Sequence, residues 1–167
     1  MPLPDRPVSH ASIESVWGQQ VHDYTFAPAG CTVSGAASTV NATVEQLNLD
    51  VGDDDPGGYL DAANNRLEVP TNGAGFYTAF VRGNAVNGTA DTTETRFILR
   101  LNGSDISTGI NTNQGGTNVT VPVTWMGDLV AGDQLTVWAQ RKGASSSPAV
   151  TVLSFTIVRL GAELGAP

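Results

Sequence analysis

The densest run of potential metal ligands in this chain is Asp53-Asp54-Asp55. Carboxylate oxygens suit calcium, but that ion takes about six to eight oxygens from several segments, and the run lacks EF-hand spacing. It reads as a solvated acidic turn, with calcium as the alternative. Asp128 and Asp133 flank a second turn and read as turn formers. His10 and His22 have no second ligand group at a suitable spacing, so they read as solvated histidines. The lone cysteine, Cys31, excludes an internal disulfide and a cysteine zinc site, and reads as a small buried hydrophobe. No serine stands in G-x-S-x-G, and neither histidine has a nucleophile in sequence context. Gly73-Ala74-Gly75 does not lead into a helix, which argues against a phosphate loop. Trp125 and Trp138 lie in strands and read as core or interface packing rather than a sugar-stacking platform. Tyr59 is the obvious loop aromatic for a glycan. No nucleophile–base pair or metal constellation emerges, and the expected function is non-enzymatic.

Composition narrows the partners. Only 14% of the 167 residues are charged, against 40% apolar. Large buried faces in an obligate oligomer would produce that balance, and so would a Ser/Thr/Asn-rich surface. The net charge is −8, and eight basic residues are spread along the chain, so a nucleic-acid groove and an anionic membrane surface are excluded as partners. No apolar run approaches the roughly 18 residues of a membrane span. The opening MPLPDRPVSH is neither basic nor apolar and does not read as a signal peptide. The sequons at Asn41, Asn87, Asn102 and Asn118 then read as Asn/Thr-rich turns rather than glycan sites.

The elements that would position these residues are short strands. Gly75–Arg82 alternates Phe76, Thr78, Phe80 and Arg82 against Tyr77, Ala79 and Val81. Arg96–Leu101 alternates Phe97, Leu99 and Leu101 against Arg96, Ile98 and Arg100, and Asn102-Gly103 then signals a tight turn. Cys31–Ala37, Thr39–Asp50, Arg66–Pro70, Val119–Trp125, Gln134–Gln140 and Val150–Leu160 read as further strands. In the last, Val150, Val152, Ser154, Thr156 and Val158 share one face, opposite Leu153, Phe155 and Ile157. The segment 52–65 reads as turn-rich and 104–118 as a polar loop. Strands at this spacing, with no helix between them, indicate an all-β antiparallel sandwich or jelly roll. Ahead of it, Pro2, Pro4 and Pro7 make an extended arm, and Ser9 can cap a short helix running to about Tyr24. Ile13, Trp17, Val21 and Tyr24 form its apolar stripe. That stripe either packs on its own domain, or joins symmetry mates or a larger assembly. The expected division is an arm and helix over 1–30, a sandwich over 31–161 and an exposed tail over 162–167.

The order of signals resembles a known family. Leu67-Glu68-Val69-Pro70, Gly75-Phe76-Tyr77, Arg96 to Gly103, Leu129 to Leu135 (LVAGDQL) and Ser154 to Gly161 (SFTIVRLG) follow one another as in the jelly roll shared by complement globular heads and the tumour necrosis factor superfamily. The resemblance covers about residues 44–161. It implies a compact homotrimer, with the Gly-x-Tyr tyrosine, Tyr77, in the trimer's centre beside Phe76, Trp138 and Phe155. The chain departs from the family in having no collagen repeat and no receptor-ligand stalk. The phrase IESVWGQQVHDYTFAPAGC resembles the lead-in of small virion proteins of tailed bacteriophages that attach by an N-terminal segment. That resemblance implies a virion surface protein assembled in the host cytoplasm, with major capsid or tail proteins as partners. A receptor- or glycan-binding module at a fibre tip is the alternative.

Overall fold

The computed structural model describes residues 30–40, 42–86, 93–113, 118–142 and 149–162. The proposed helix, with Ile13, Trp17, Val21, Tyr24 and both histidines, lies outside them. Among the described residues there is no α-helix, and the chain is a sandwich of two antiparallel sheets. One sheet joins β1 (Gly30–Ser34), β4 (Val51–Asp54), β7 (Gly75–Val86), β10 (Asn118–Leu129) and β12 (Ala149–Ala162) in the order β10-β7-β12-β1-β4, with β2 (Ser38–Thr39) on β12. The other joins β5 (Leu60–Asp61), β6 (Arg66–Glu68), β8 (Thr93–Leu101), β9 (Ser104–Asn113) and β11 (Gln134–Lys142) in the order β5-β6-β11-β8-β9, with β3 (Glu45–Gln46) on β11.

Alternation explains the core. Tyr77, Ala79, Val81 and Ala85 of β7 meet Phe97 and Leu99 of β8, Leu135, Val137 and Ala139 of β11, and Phe155 and Ile157 of β12 in one buried cluster. Trp125 packs against its margin. The Asn102-Gly103 turn forms as the dipeptide predicts, with both residues at positive φ (50° and 82°). Asp133 forms its turn by accepting from the Val130 amide at 2.8 Å and from the Asn102 side-chain amide at 2.8 Å.

Three expectations change. The predicted strand Thr39–Asp50 is broken into β2 and β3, because Val40, Leu47 and Leu49 are buried from irregular backbone rather than along one ladder. The segment 52–65, expected to be turn-rich, contains all but the first residue of β4, all of β5 and a short 3-10 turn, Ala62–Asn64. The polar stretch from Ser104 forms a ten-residue strand. It pairs with β8 from Thr93 to Leu101, and the Ser107 hydroxyl ties it to the Thr124 carbonyl of β10 at 2.7 Å. Backbone pairing holds this edge strand where its side chains give almost no apolar signal.

Candidate functional site

The four residues expected to meet around one axis do not share a face. Tyr77 and Phe155 are fully buried between the sheets of a single protomer, so a neighbouring copy cannot touch them. Phe76 is exposed on the outer face of the β7 sheet. Trp138 lies on the outer face of the opposite sheet, with the Arg100 guanidinium 4.3 Å from its ring centroid and its indole N–H donated to the Thr136 hydroxyl at 2.9 Å. On that second face Arg96 is held by Glu94 and Arg100 by Asp105, so both guanidiniums are paired within the sheet.

The outer face of the β7 sheet is different. Phe80 (43% exposed) lies between Thr124 and Thr156 on the neighbouring strands. Thr78 lies between Met126 (65% exposed) and Val158 (37% exposed). Phe76 follows, opposite Asp128 and Gly161. Leu160 adds a further exposed apolar side chain. Between Arg82 at one end and Asp128 at the other, the outward positions of β7, β10 and β12 are all uncharged. Single exposed hydrophobes are ordinary on a protein surface; here several stand close together and no charge interrupts them.

The candidate chemistry does not assemble. Asp53 and Asp54 are exposed on β4. Asp55 is used locally, accepting from the Tyr59 amide at 2.8 Å and from the Leu60 amide at 2.9 Å. Among the described residues no group of three or more His, Cys, Asp or Glu could hold a metal ion. An open cleft of about 560 Å³ lies beside Asp61, Arg66, Glu68 and Pro70. Its two carboxylates are both spent on Arg66, at 2.9 Å from Asp61 and 2.7 Å from Glu68. The Asn64 side chain, and then Arg66, hold the Asp61 carboxyl below its ordinary value. Burial pushes the Cys31 thiol up, with Asp55 and Asp54 adding to the effect. Tyr59 is 1% exposed and is no loop platform for a sugar.

Sequence reasoning missed two features. Arg141 and Thr95 are cross-strand partners, each 1% exposed, at one end of the core. Desolvation lowers the Arg141 pKa. Continuing the Leu135-Val137-Ala139 alternation by one step would have placed Arg141 inside. The second is the clamp on the 72–74 turn. Arg159 donates to the Asn72 carbonyl at 3.3 Å and to the Ala74 carbonyl, while the Tyr77 hydroxyl donates to the Gly73 carbonyl.

No protein-family model matches the chain, and no curated protein matches it. Solved structures do. The globular domain of zebrafish complement 1qA protein superposes with a TM-score of 0.60 at 12% identity, covering 81% of this chain and 98% of that one. The Eiger TNF from S. frugiperda superposes with a TM-score of 0.55 at 11% identity, covering 81% and 94%. These likenesses establish the jelly-roll fold shared by complement heads and tumour necrosis factors. No helix among the described residues is long and apolar enough to cross a membrane.

Proposed function

We propose that this chain is a non-enzymatic assembly domain. It forms a homotrimer through the outer face of the β7 sheet, and residues 1–29 attach that trimer to the surface of a tailed-bacteriophage particle. The observation that carries the assembly reading is the uncharged patch formed by Phe80, Phe76, Met126 and Val158 around Thr78. Strand β7 buries one face against the other sheet and presents large apolar groups on its second face, which therefore needs a partner from outside the protomer. A three-fold arrangement is favoured by the likeness to complement and tumour necrosis factor heads. The virion setting is supported by the resemblance of residues 13–31 to phage lead-ins.

The test is Phe80→Glu in the full chain. A carboxylate placed in a face that is desolvated on assembly must give up its hydration, which pairing with Arg82 at the margin does not repay, and it would be expelled. Sedimentation of the natural chain should give a trimer at micromolar concentration, and Phe80→Glu should give a monomer with an unchanged circular dichroism spectrum. A natural chain that sediments as a monomer would refute the assembly reading. Deleting residues 1–26 should leave the trimer intact and abolish its binding to the particle. Cryo-electron microscopy of the source particle would locate it.

A further inference from the structure

The outer face of the β7 sheet carries unlike features on its two margins. On one margin stands Met126 of β10, the most exposed large apolar side chain among the described residues. On the other, beside β1 and β4, a groove of about 200 Å³ has Gly30, Thr32, Asp54, Pro56, Thr156 and Val158 among its walls. The two features lie at one level. Met126 pairs with Thr78, Thr78 with Val158 and Val158 with Gly30, in a single line across four strands. Three ladder spacings, about 14 Å, separate β10 from β1, so Met126 cannot fill the groove of its own chain. The charges are divided in the same way. Arg66, Arg96 and Arg100 are each held by a carboxylate. Among the described residues, by contrast, the exposed Arg82 side chain has no ion-pair or hydrogen-bond partner. Asp54 is exposed on the β4 side. It pairs with Thr32, which pairs with Thr156 and so lies level with Phe80, two residues from Arg82. That offset is about 7 Å along the strand, within the span of an arginine side chain.

We propose that Met126 of one copy seats in the groove of the next, with Arg82 of the first facing Asp54 of the second, and that three such joints close the trimer. This rests on the assembly reading and deepens it, because it names which margin meets which. A joint between two different patches makes a closed ring only if the rotation adds no rise, and an open filament otherwise. Around an axis parallel to the strands, a knob and a groove at one level meet without rise. Methionine suits the groove because its unbranched side chain adapts to an irregular hollow. The Thr32 and Thr156 hydroxyls bond each other at 3.1 Å, and Val158 and Pro56 add apolar walls. An apolar occupant alone would strip water from the Asp54 carboxylate without recompense; here the same neighbour supplies a cation. Asp55 is not available to Arg82, being spent on the Tyr59 and Leu60 amides. The division of charge also disfavours the meeting of like margins, where Arg82 would approach Arg82.

The test is charge reversal in the full chain, read by sedimentation over a range of concentrations. Arg82→Glu should raise the concentration at which the trimer half-dissociates by about tenfold or more, and so should Asp54→Arg. The chain carrying both changes should return to within about threefold of the natural value, because the pair is restored with its signs exchanged. A double variant no better than either single one would overturn the proposal, and so would single variants that dissociate like the natural chain. A second readout combines Met126→Cys and Pro56→Cys with Cys31→Ala, oxidises the full chain with glutathione disulfide, and reads intact mass under denaturing conditions without reductant. The expected product is a covalent trimer that has lost six hydrogens to three interchain disulfides. Covalent species that stop at two chains or run beyond three would overturn the joint. Free thiols in a protein that still sediments as a trimer would overturn it too, and would leave the assembly reading standing. A natural chain that sediments as a monomer removes the assembly reading itself, and this joint with it.

Discussion

Tyr77 shows how one side chain can be read correctly in direction and wrongly in destination. Its rows along β7 are as alternation predicts, opposite Phe76 and Phe80, and the strand does present two apolar faces. The face that Tyr77 occupies is the protomer's own core. There its hydroxyl donates to the Gly73 carbonyl and accepts from the Tyr59 hydroxyl at 3.0 Å. The two rings meet edge to face, with centroids 6.4 Å apart. Tyr77→Phe removes the hydroxyl that donates to the buried Gly73 carbonyl, and should cost about 1–3 kcal/mol in urea denaturation. Tyr77→Ala should cost about 3–5 kcal/mol and destabilise the protomer itself, as should Tyr59→Ala, rather than separating folded subunits. Burial pushes both phenols up from their ordinary value, and for Tyr59 the hydrogen bond to Tyr77 adds to it. The fold thus holds these protons more tightly than the unfolded chain. Their contribution is complete below about pH 10, the ordinary phenol value, and is lost as the pH rises above it. Ionisation of Tyr59 and Tyr77, followed by absorbance at 295 nm in the natural chain and in Tyr→Phe variants, should coincide with loss of the β-sheet dichroism. Ionisation of both within an intact fold would refute this account.

At the scale of elements, strands with strong two-residue alternation were legible and those shaped by irregular backbone were not. Residues of β7, β8, β10 and β11 point where their apolar rows require. Strand β12 does not keep a single alternation. Its pairing with β7 shifts between Val152 and Ser154. That bulge puts Val150 and Val152 on the same buried side as Phe155 and Ile157 and leaves Leu153 exposed, so strict alternation assigns Phe155 to the wrong row. Nothing in the side chains announces the extra residue. Strand β9 was overlooked for the reason given above, and the candidate site was half legible: Phe76 was found, while Phe80 was recognised only as its neighbour in the row. Gly83 gives an element-scale test. It sits in the buried row of β7, and a Cβ there would lie 2.1 Å from the ring of Phe97 on β8. Phe97 is fully enclosed and has little room to yield. Gly83→Ala should therefore force the sheets apart locally and lower stability by about 1–3 kcal/mol, measured as a lower urea midpoint. An unchanged midpoint would mean that the two sheets are not packed in this register.

At the scale of the whole molecule, the proposed trimer would draw separable contributions from the sandwich core and the uncharged outer face, and mass action distinguishes them. A protomer core stabilises each chain by an amount independent of protein concentration. Contacts between copies stabilise only the assembled state, so the melting temperature rises with concentration. For a trimer that unfolds to three separate chains, a tenfold increase in concentration adds about 2.7 kcal/mol per trimer, twice the ~1.4 kcal/mol of one tenfold step. The natural chain should therefore melt at progressively higher temperature as its concentration is raised. Phe80→Glu should melt at one temperature throughout, because Phe80 is on the outer face and outside the core cluster. Tyr77→Ala should behave in the reverse manner, with a melting temperature lowered at every concentration but still rising with it for as long as the protomer folds. Calorimetry of the three proteins over a hundredfold concentration range makes the comparison. If Phe80→Glu kept the natural concentration dependence, the outer face of the β7 sheet would not be where the copies meet. If Tyr77→Ala alone lost it, the tyrosine would belong to the contact between chains after all, and the enclosed position of its ring within one protomer would not describe the assembled protein.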